Sequence, residues 1–287
     1  MGLGGMLTWT AAAREIYEKN SLAAIGAHVI PCSYDGAGNI SEISDSPIFL
    51  NNPYLFKRGM ELSSGCIQMP MNIPETNYCK FDSPAKNVHR ADRHIIEQIC
   101  EHYGILSPRL KCDLFFSAEE KDKVSNLAEG LPEKFITIEP GSKQSWTPNR
   151  TYPLSKWQRI VNALKKDIAI VQLGSDPSLC LDNVISLIGQ TTFREAALLI
   201  GASRLFISTE GGLVHAATAV NTTSVCIITG YQSLTMVGYP QNINIDIGRH
   251  GPCGLKVPCE KCANDTSSHN ESEIISAVRR FLGEDLY

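Results

Sequence analysis

The stretch STEGGLVHAATA, residues 208–219, places an acid, two adjacent glycines and an imidazole where an apolar run gives way to an alanine-rich segment. The run RLFIST has the composition of a buried strand, and the alanine-rich segment is typical of a helix. The free N–H groups and positive dipole end at such a strand-to-helix turn favour an anion. The candidate ligand-binding residues of this turn are Thr209, Glu210, Gly211, Gly212 and His215.

Three further turns carry glycines or charges suited to a phosphate group. GLGG near the start lets backbone approach a ligand, EPGSKQSWTPNRTYP adds a hydroxyl and two cations, and QLGSDPS offers an acid to ribose hydroxyls. Each turn alone is weak evidence for a ligand site, because glycines after strands are commonly turn formers. Their recurrence at one edge of the inferred sheet favours a shared anionic ligand. The residues concerned are Gly4, Gly5, Gly141, Ser142, Lys143, Arg150 and Asp176.

From residue 134 onward, apolar runs of strand length alternate with amphipathic segments of helix length. Strands are predicted in KFITIEPG, IAIVQLG, RLFIST and TSVCIIT. Helices are predicted in PLSKWQRIVNALKK, PSLCLDNVISLI, TTFREAALLIGAS and LVHAATAV, with Thr192 and Glu195 at capping-box spacing in the third. This alternation implies an α/β domain with a parallel sheet covered on both faces.

The first 130 residues have a less regular pattern. Helices are predicted in MLTWTAAAREIYEKN and NVHRADRHIIEQICEHYGI, and strands in GAHVIPC and SPIFLNN. GLGG is interpreted as a loop with no visible strand before it, and PRLKCDLFFSAEEKDKVSNLAEG as a connector. We place the domain boundary near Leu131, which divides the chain into residues 1–130 and 131–287. The last segment, ESEIISAVRRFLG, is predicted to be a helix that either caps its own domain or crosses to the first.

The composition is that of a soluble globular protein. The 287 residues are 43% hydrophobic and 20% charged, enough for one large domain or two ordinary ones. The net charge of −4 gives no basic footprint for nucleic acid, so no nucleic-acid partner is expected. No apolar run has the length of a transmembrane segment and no signal peptide is visible, so we expect a cytoplasmic protein.

The segment QTTFREAALLIGASRLFISTEGGLVHAATAVNTTSVCIITG resembles the nucleotide-binding signature of glycosyltransferase family 9, the heptosyltransferase-like enzymes of lipopolysaccharide core biosynthesis. PGSKQSWTPNRTYPLSKWQRIV resembles a second family motif, and GLGGMLTWTAAAREI resembles the first loop and helix. The resemblance implies two Rossmann-like domains facing across a cleft, the GT-B arrangement, here with a reduced N-terminal domain. It also implies inverting transfer of a sugar from a nucleotide-diphospho sugar such as ADP-heptose to a saccharide or glycan acceptor.

The resemblance assigns roles to the donor-site residues. Glu210 falls where the family usually has Asp, ahead of glycines that hold the donor diphosphate, and His215 falls on the family histidine. Arg150 falls on a cation that neutralises the diphosphate, so catalysis is expected to require no metal cofactor. Asp176 falls near an acidic residue associated with the nucleoside.

The expected general base is where this sequence departs from the family. Gly5 stands where the family has an Asp that deprotonates the acceptor, and Asp35 in SYDGAGN is the nearest replacement. General base catalysis typically contributes ~10²–10⁴-fold in rate. A second interpretation therefore stays open, a catalytically impaired nucleotide-sugar binding protein with a regulatory or scaffolding role. A dehydrogenase is disfavoured because no Gly-x-Gly-x-x-Gly follows a strand.

The segment CGLKVPCEKC forms a candidate metal half-site. Cys253, Cys259 and Cys262 could bind structural zinc or iron, with His250 or His269 as the fourth ligand. The second Cys-x-x-Cys pair that would strengthen this interpretation is absent from the sequence. Free thiols therefore remain the alternative.

Overall fold

The computed structural model describes residues 2–22, 28–34, 40–42, 45–57, 65–72, 79–83 and 85–284. Helices and strands of the N-terminal half are α1 (Leu3–Leu22), β1 (Val29–Tyr34), β2 (Ile40–Glu42), β3 (Ile67–Pro70), β4 (Cys79–Ser83), β5 (Lys86–His89), α2 (Ile95–His102) and α3 (Ala118–Ala128). Strand β1 pairs antiparallel with β2 and parallel with β3, and β4 pairs antiparallel with β5.

The C-terminal half is built on a parallel sheet of six strands. Its strands are β6 (Phe135–Glu139), β7 (Ala169–Gln172), β8 (Ile185–Ser186), β9 (Phe206–Thr209), β10 (Ser224–Ile228) and β11 (Ile243–Asp246). Its helices are α4 (Leu154–Leu164), α5 (Phe193–Ala202), α6 (Gly212–Ala219), α7 (Leu234–Val237), α8 (Glu260–Ser268) and α9 (Ser272–Glu284). The strand order β11-β10-β9-β6-β7-β8 is that of a doubly wound Rossmann sheet, whose switch point lies between β6 and β9.

Both faces of this sheet are covered, as the sequence predicts. Ile136 and Ile138 of β6 belong to the apolar cluster that holds Trp157 of α4 and Val278 of α9. Phe135 belongs to the opposite cluster, which contains residues of α5 and α6. Helix α9 packs on α4 and β10, so the final helix caps the core of its own half of the chain.

The N-terminal half packs against the face formed by α5 and α6. Helix α1 contacts both α2 and α6, and residues of all three helices share one apolar cluster. Arg194, at the start of α5, is 4% exposed and donates to both carboxylate oxygens of Glu120 and to the carbonyls of Pro47 and Phe115. The two halves are therefore joined by a continuous core, and the predicted boundary near Leu131 stays a prediction.

Three secondary-structure predictions are wrong in part. The helix predicted over residues 177–188 is a single 3₁₀ turn followed by β8, and Asn183 has a φ of 62° that interrupts any helix. The strand predicted over residues 46–52 is a series of turns, with Asn51 at a φ of 60°. The helix predicted over residues 87–105 begins only at Ile95, because β5 occupies its start and His94 caps α2. The predicted connector contains α3.

None of the helices in the described ranges has the length and apolar character needed to span a bilayer.

Candidate functional site

The candidate site lies at the switch point, where the ends of β6 and β9 are neighbours. Strand β6 ends at Glu139 and is followed by a loop and a 3₁₀ turn that ends at Arg150. Strand β9 ends at Thr209, just before α6 begins. The hydroxyl of Thr229 hydrogen-bonds both to Glu210 and to the carbonyl of Asn149, the residue before Arg150, so the structure brings these two turns together.

Glu210 turns its carboxyl group into the protein, and 3% of the residue is exposed. One oxygen lies 2.9 Å from the Thr229 hydroxyl, and the other accepts a 3.2 Å bond from the Thr229 N–H. Burial raises the pKa of Glu210 to about 7, with Arg150 opposing the shift. The single Thr229 hydroxyl proton also has the Asn149 carbonyl as an acceptor. A protonated Glu210 resolves this competition. Its carboxyl O–H donates to the Thr229 hydroxyl oxygen, and the Thr229 hydroxyl then donates to the Asn149 carbonyl.

Arg150 presents a half-buried guanidinium beside the loop after β10. Its Nη2 donates to Gln232 at 2.6 Å, and its Cζ lies 4.8 Å from the ring centroid of Tyr231. Its Nε is buried and has no hydrogen-bond acceptor among the residues that the structure describes. Asn149 braces this turn through hydrogen bonds to the backbone of residues 255–259. A guanidinium with an unmet N–H on a braced turn suits a phosphate oxygen.

His215 lies in the first turn of α6 and is half-buried. Its Nδ1 is 2.6 Å from the hydroxyl of Tyr239, which is fully buried. Burial lowers the pKa of His215 to about 3, and the positive charge of Arg150 acts in the same direction. The imidazole is therefore neutral at physiological pH.

The start of α1 packs directly on the start of α6. A Cβ atom on Gly4 would lie 2.6 Å from the Cα of Gly212 and 3.5 Å from Cδ2 of His215, so only glycine permits this approach. The prediction that GLGG forms a loop is wrong, since α1 begins at Leu3 and contains both Gly4 and Gly5. Two helix N-termini thus meet here, and an anion bound beside this contact would be stabilised by both dipoles.

The other predicted donor residues have different surroundings. The loop after β6 holds Gly141, Ser142 and Lys143. Lys143 is exposed, and its Nζ lies 3.8 Å from the position of a Cβ on Gly2. Asp176 is exposed and accepts hydrogen bonds from the N–H and hydroxyl of Ser178, as the cap of a 3₁₀ turn. Asp35 lies outside the described residues.

Cys253, Cys259 and Cys262 come together as predicted. Their Sγ atoms lie within 4.8 Å of one another, and those of Cys253 and Cys262 are 3.4 Å apart. Tetrahedral coordination with metal–sulfur bonds of about 2.3 Å separates thiolates by about 3.8 Å, so the cluster fits zinc or iron. A hydrogen bond from Cys262 lowers the pKa of Cys253 to about 6, which favours the thiolate form.

The histidines expected to complete this cluster are not part of it. Nδ1 of His269 lies 2.9 Å from the Tyr152 hydroxyl, and its Nε2 lies 3.2 Å from Glu273. Among the described residues, the cluster contains cysteines alone, so His250 does not join it either. Three thiolates leave one position of a tetrahedral ion for another donor.

Sequence reasoning missed several residues of the site. Tyr239 and His94 carry no motif, and only the fold brings them to His215. Glu139 gave one signal, a carboxylate at the end of an apolar strand immediately before Pro-Gly. Burial raises the pKa of Glu139 to about 7.

The raised pKa of Glu210 predicts a pH-dependent stability. The folded state holds this proton more tightly than the unfolded state, so the stabilisation is complete below about pH 4.5 and lost as pH rises through about 7. The loss amounts to at most about 3 kcal/mol. Glu210→Gln should therefore flatten the fall in melting temperature between about pH 5 and about pH 8, measured by thermal denaturation. Exposed Glu133→Gln is the matched control, and an unchanged slope in Glu210→Gln would contradict the assignment.

A doubly wound sheet with polar and charged residues at its switch point is typical of nucleotide-binding proteins. Residues 91–254 match the model of glycosyltransferase family 9 (heptosyltransferase). This match covers more than half of the chain, and the chain belongs to that family. No curated protein matches the sequence.

Solved structures share the fold. The family 9 glycosyltransferase from Veillonella parvula DSM 2008 has 16% identity and a TM-score of 0.69, over 99% of this chain and 95% of that one. The iron-containing dodecameric glycosyltransferase TibC from enterotoxigenic E. coli H10407 has 13% identity and a TM-score of 0.65, over 100% and 75%. TibC is also known in complex with ADP-D-β-D-heptose.

A third likeness is to ADP-heptose lps heptosyltransferase II of E. coli. It has 17% identity and a TM-score of 0.52, over 69% of this chain. The match spans 64% of that enzyme, less than two thirds of its length. These likenesses confirm the predicted α/β class of GT-B glycosyltransferases, whereas the reduced size of the N-terminal domain stays a prediction.

Proposed function

We propose that the chain is an inverting glycosyltransferase that binds a nucleotide-diphospho sugar at the carboxyl edge of its parallel sheet. The observations that support the proposal are Arg150 on the turn after β6, and the packing of the start of α1 on the start of α6 after the neighbouring strand β9. The helix N-termini carry positive partial charge, and Arg150 adds a full charge and an unmet donor. A diphosphate offers the charge and the acceptors that these groups favour.

The same groups account for the chemistry of the leaving group. As the bond between sugar and diphosphate breaks, negative charge develops on the departing oxygens. Arg150 and the free N–H groups of Gly211 and Gly212 would stabilise that charge. The donor half of the reaction then needs no metal ion, because protein groups supply the positive charge.

The finer assignments are part of the same proposal. ADP-heptose is the proposed donor, supported by the family description and by the ligand of TibC. The acceptor is a saccharide or glycan of lipopolysaccharide biosynthesis, bound by residues 1–130, with residues 131–287 holding the donor. A cytoplasmic location goes with this assignment.

A second function, binding of a nucleotide sugar without transfer, is favoured by one observation. Gly5 lies inside α1 and offers no side chain to accept the proton of an acceptor hydroxyl. Transfer then depends on a base from elsewhere, for which Asp35 is the proposed candidate.

Binding and turnover assays separate the two functions. Thermal shift and calorimetry with ADP, UDP, GDP and ADP-heptose test binding, with AMP as the control that lacks the second phosphate. Release of ADP from ADP-heptose in the presence of glycan acceptors tests transfer, and Asp35→Asn tests the base. Binding without release of ADP supports the second function. Absence of binding to every nucleotide contradicts both.

We also propose that Cys253, Cys259 and Cys262 hold a structural zinc or iron ion. The ion would crosslink the loop in which the Cys259 N–H donates to Asn149. It would thereby stabilise the turn that carries Arg150. This arrangement is supported by the fit of the thiols and by the description of TibC as iron-containing.

Metal analysis of purified variants tests the cysteine site. Wild-type protein should contain about one zinc or iron per chain, and Cys259→Ser should lose most of it, measured by mass spectrometry of the metals. Cys180→Ser, which replaces an exposed free thiol, is the matched control and should retain the metal. A metal-free wild-type protein would refute the site.

A further inference from the structure

A buried tyrosine adjoins His215, a buried thiol adjoins that tyrosine, and neither has a role in the function proposed above. The Tyr239 hydroxyl lies 2.6 Å from Nδ1 of His215 and 3.3 Å from Sγ of Cys112. The ring of Tyr239 also meets that of His94, with centroids 4.7 Å apart. Tyr239, Cys112 and His94 are all buried, so the hydroxyl is held in one place.

The hydrogen-bonding capacity of these groups decides the direction of the protons. An imidazole nitrogen is a strong acceptor, whereas a thiol sulfur is a weak one. The phenol of Tyr239 therefore donates to His215, and the thiol of Cys112 donates to the phenol oxygen. In the opposite arrangement, Nδ1 of His215 would donate to the phenol oxygen, and the phenol would donate to the weakly accepting sulfur. Burial raises the pKa of Cys112 to about 12 and that of Tyr239 well above its ordinary value, so both groups keep their protons.

We propose that Tyr239 is a positioning residue that holds His215 as the neutral tautomer protonated on Nε2. The Tyr239 hydroxyl donates to Nδ1, which acts as the acceptor, and Nε2–H is left to donate. Cδ2, the carbon next to Nε2, lies 3.5 Å from the Cβ position of Gly4, so this edge of the ring faces the junction of α1 and α6. The Nε2–H donates there to a phosphate oxygen of the ligand, a step that rests on the proposed function.

The test combines the tautomer of His215 with the affinity for ADP. Nitrogen NMR of histidine-labelled protein, assigned with His215→Gln, should show Nε2–H alone in the wild type. Tyr239→Phe should give a mixture of tautomers and bind ADP about 3- to 10-fold more weakly by calorimetry. Tyr152→Phe is the matched control, since it removes a buried tyrosine–histidine bond of 2.9 Å outside the site. The Tyr152→Phe variant should change neither the tautomer of His215 nor the affinity for ADP.

The possible outcomes are distinguishable. A wild-type His215 protonated on Nδ1 overturns the proposal, and so does a Tyr239→Phe protein that keeps the pure Nε2–H tautomer. The wild-type spectrum tests the proposed tautomer even if the Tyr239→Phe variant does not fold. If the wild type binds no ADP, the proposed function fails, while the tautomer still tests the role of Tyr239.

Discussion

Replacement of Arg150 by alanine should weaken the binding of ADP by roughly 10- to 100-fold, the effect of losing a charge-assisted hydrogen bond to phosphate. The guanidinium is fixed by Gln232 and by the ring of Tyr231, so little side-chain entropy is lost when it binds. Isothermal titration calorimetry of the wild type and the variant measures the difference.

Two further variants isolate the contribution of the guanidinium. Arg150→Lys keeps the charge but loses the planar fork, and it should recover only part of the affinity. Arg159→Gln removes an exposed arginine of α4 that pairs with Glu271, and the variant should bind ADP as the wild type does. An Arg150→Ala protein with wild-type affinity would place the diphosphate elsewhere.

The elements of the C-terminal half could be predicted because their signals are local. The capping box of Thr192 and Glu195 is present in the structure, with both reciprocal hydrogen bonds. The alternation of apolar and amphipathic segments predicted the strands β6, β7, β9 and β10 and the helices α4, α5 and α6. The helix predicted over residues 177–188 failed for a local reason as well, since the positive φ of Asn183 has no counterpart in hydrophobic periodicity.

The sequence indicates candidate site residues most directly where their chemistry lies within one segment. Glu210 and His215 belong to one turn, and the three clustered cysteines lie within ten residues of sequence. His269 was one of two candidates for the fourth metal ligand, but its ring is held by Tyr152, more than 100 residues away in sequence. Tyr239 was not predicted for the same reason, because tertiary packing alone brings it to His215.

The glycines of GLGG show how one residue type has two physical uses. Glycine permits unusual backbone conformations, which indicates a loop, and it also permits two backbones to touch. Gly4 serves the second use, within a helix. The sequence does not distinguish the two, because the partner Gly212 lies in the other half of the chain.

Replacement of Gly4 by alanine should therefore lower both stability and affinity for ADP. The new Cβ would lie 2.6 Å from Cα and 3.2 Å from N of Gly212, and these backbone atoms cannot turn away as a side chain could. Moving α1 away from α6 costs about 1–3 kcal/mol, which corresponds to a melting temperature lower by about 3–10 °C. The same movement separates the two helix N-termini, so the anion loses part of its stabilisation.

Gly283→Ala is the matched control for this substitution. Its Cβ meets no atom within 4 Å in the described part of the chain, and it lies in α9, where alanine favours the helix by up to about 1 kcal/mol. Its melting temperature should equal or exceed that of the wild type, with unchanged affinity. Thermal denaturation and calorimetry measure both quantities.

A Gly4→Ala protein that resembles Gly283→Ala in melting temperature and in affinity for ADP would show that α1 does not pack on α6. If only its stability falls, the contact is structural and the anion is held by α6 and Arg150 alone.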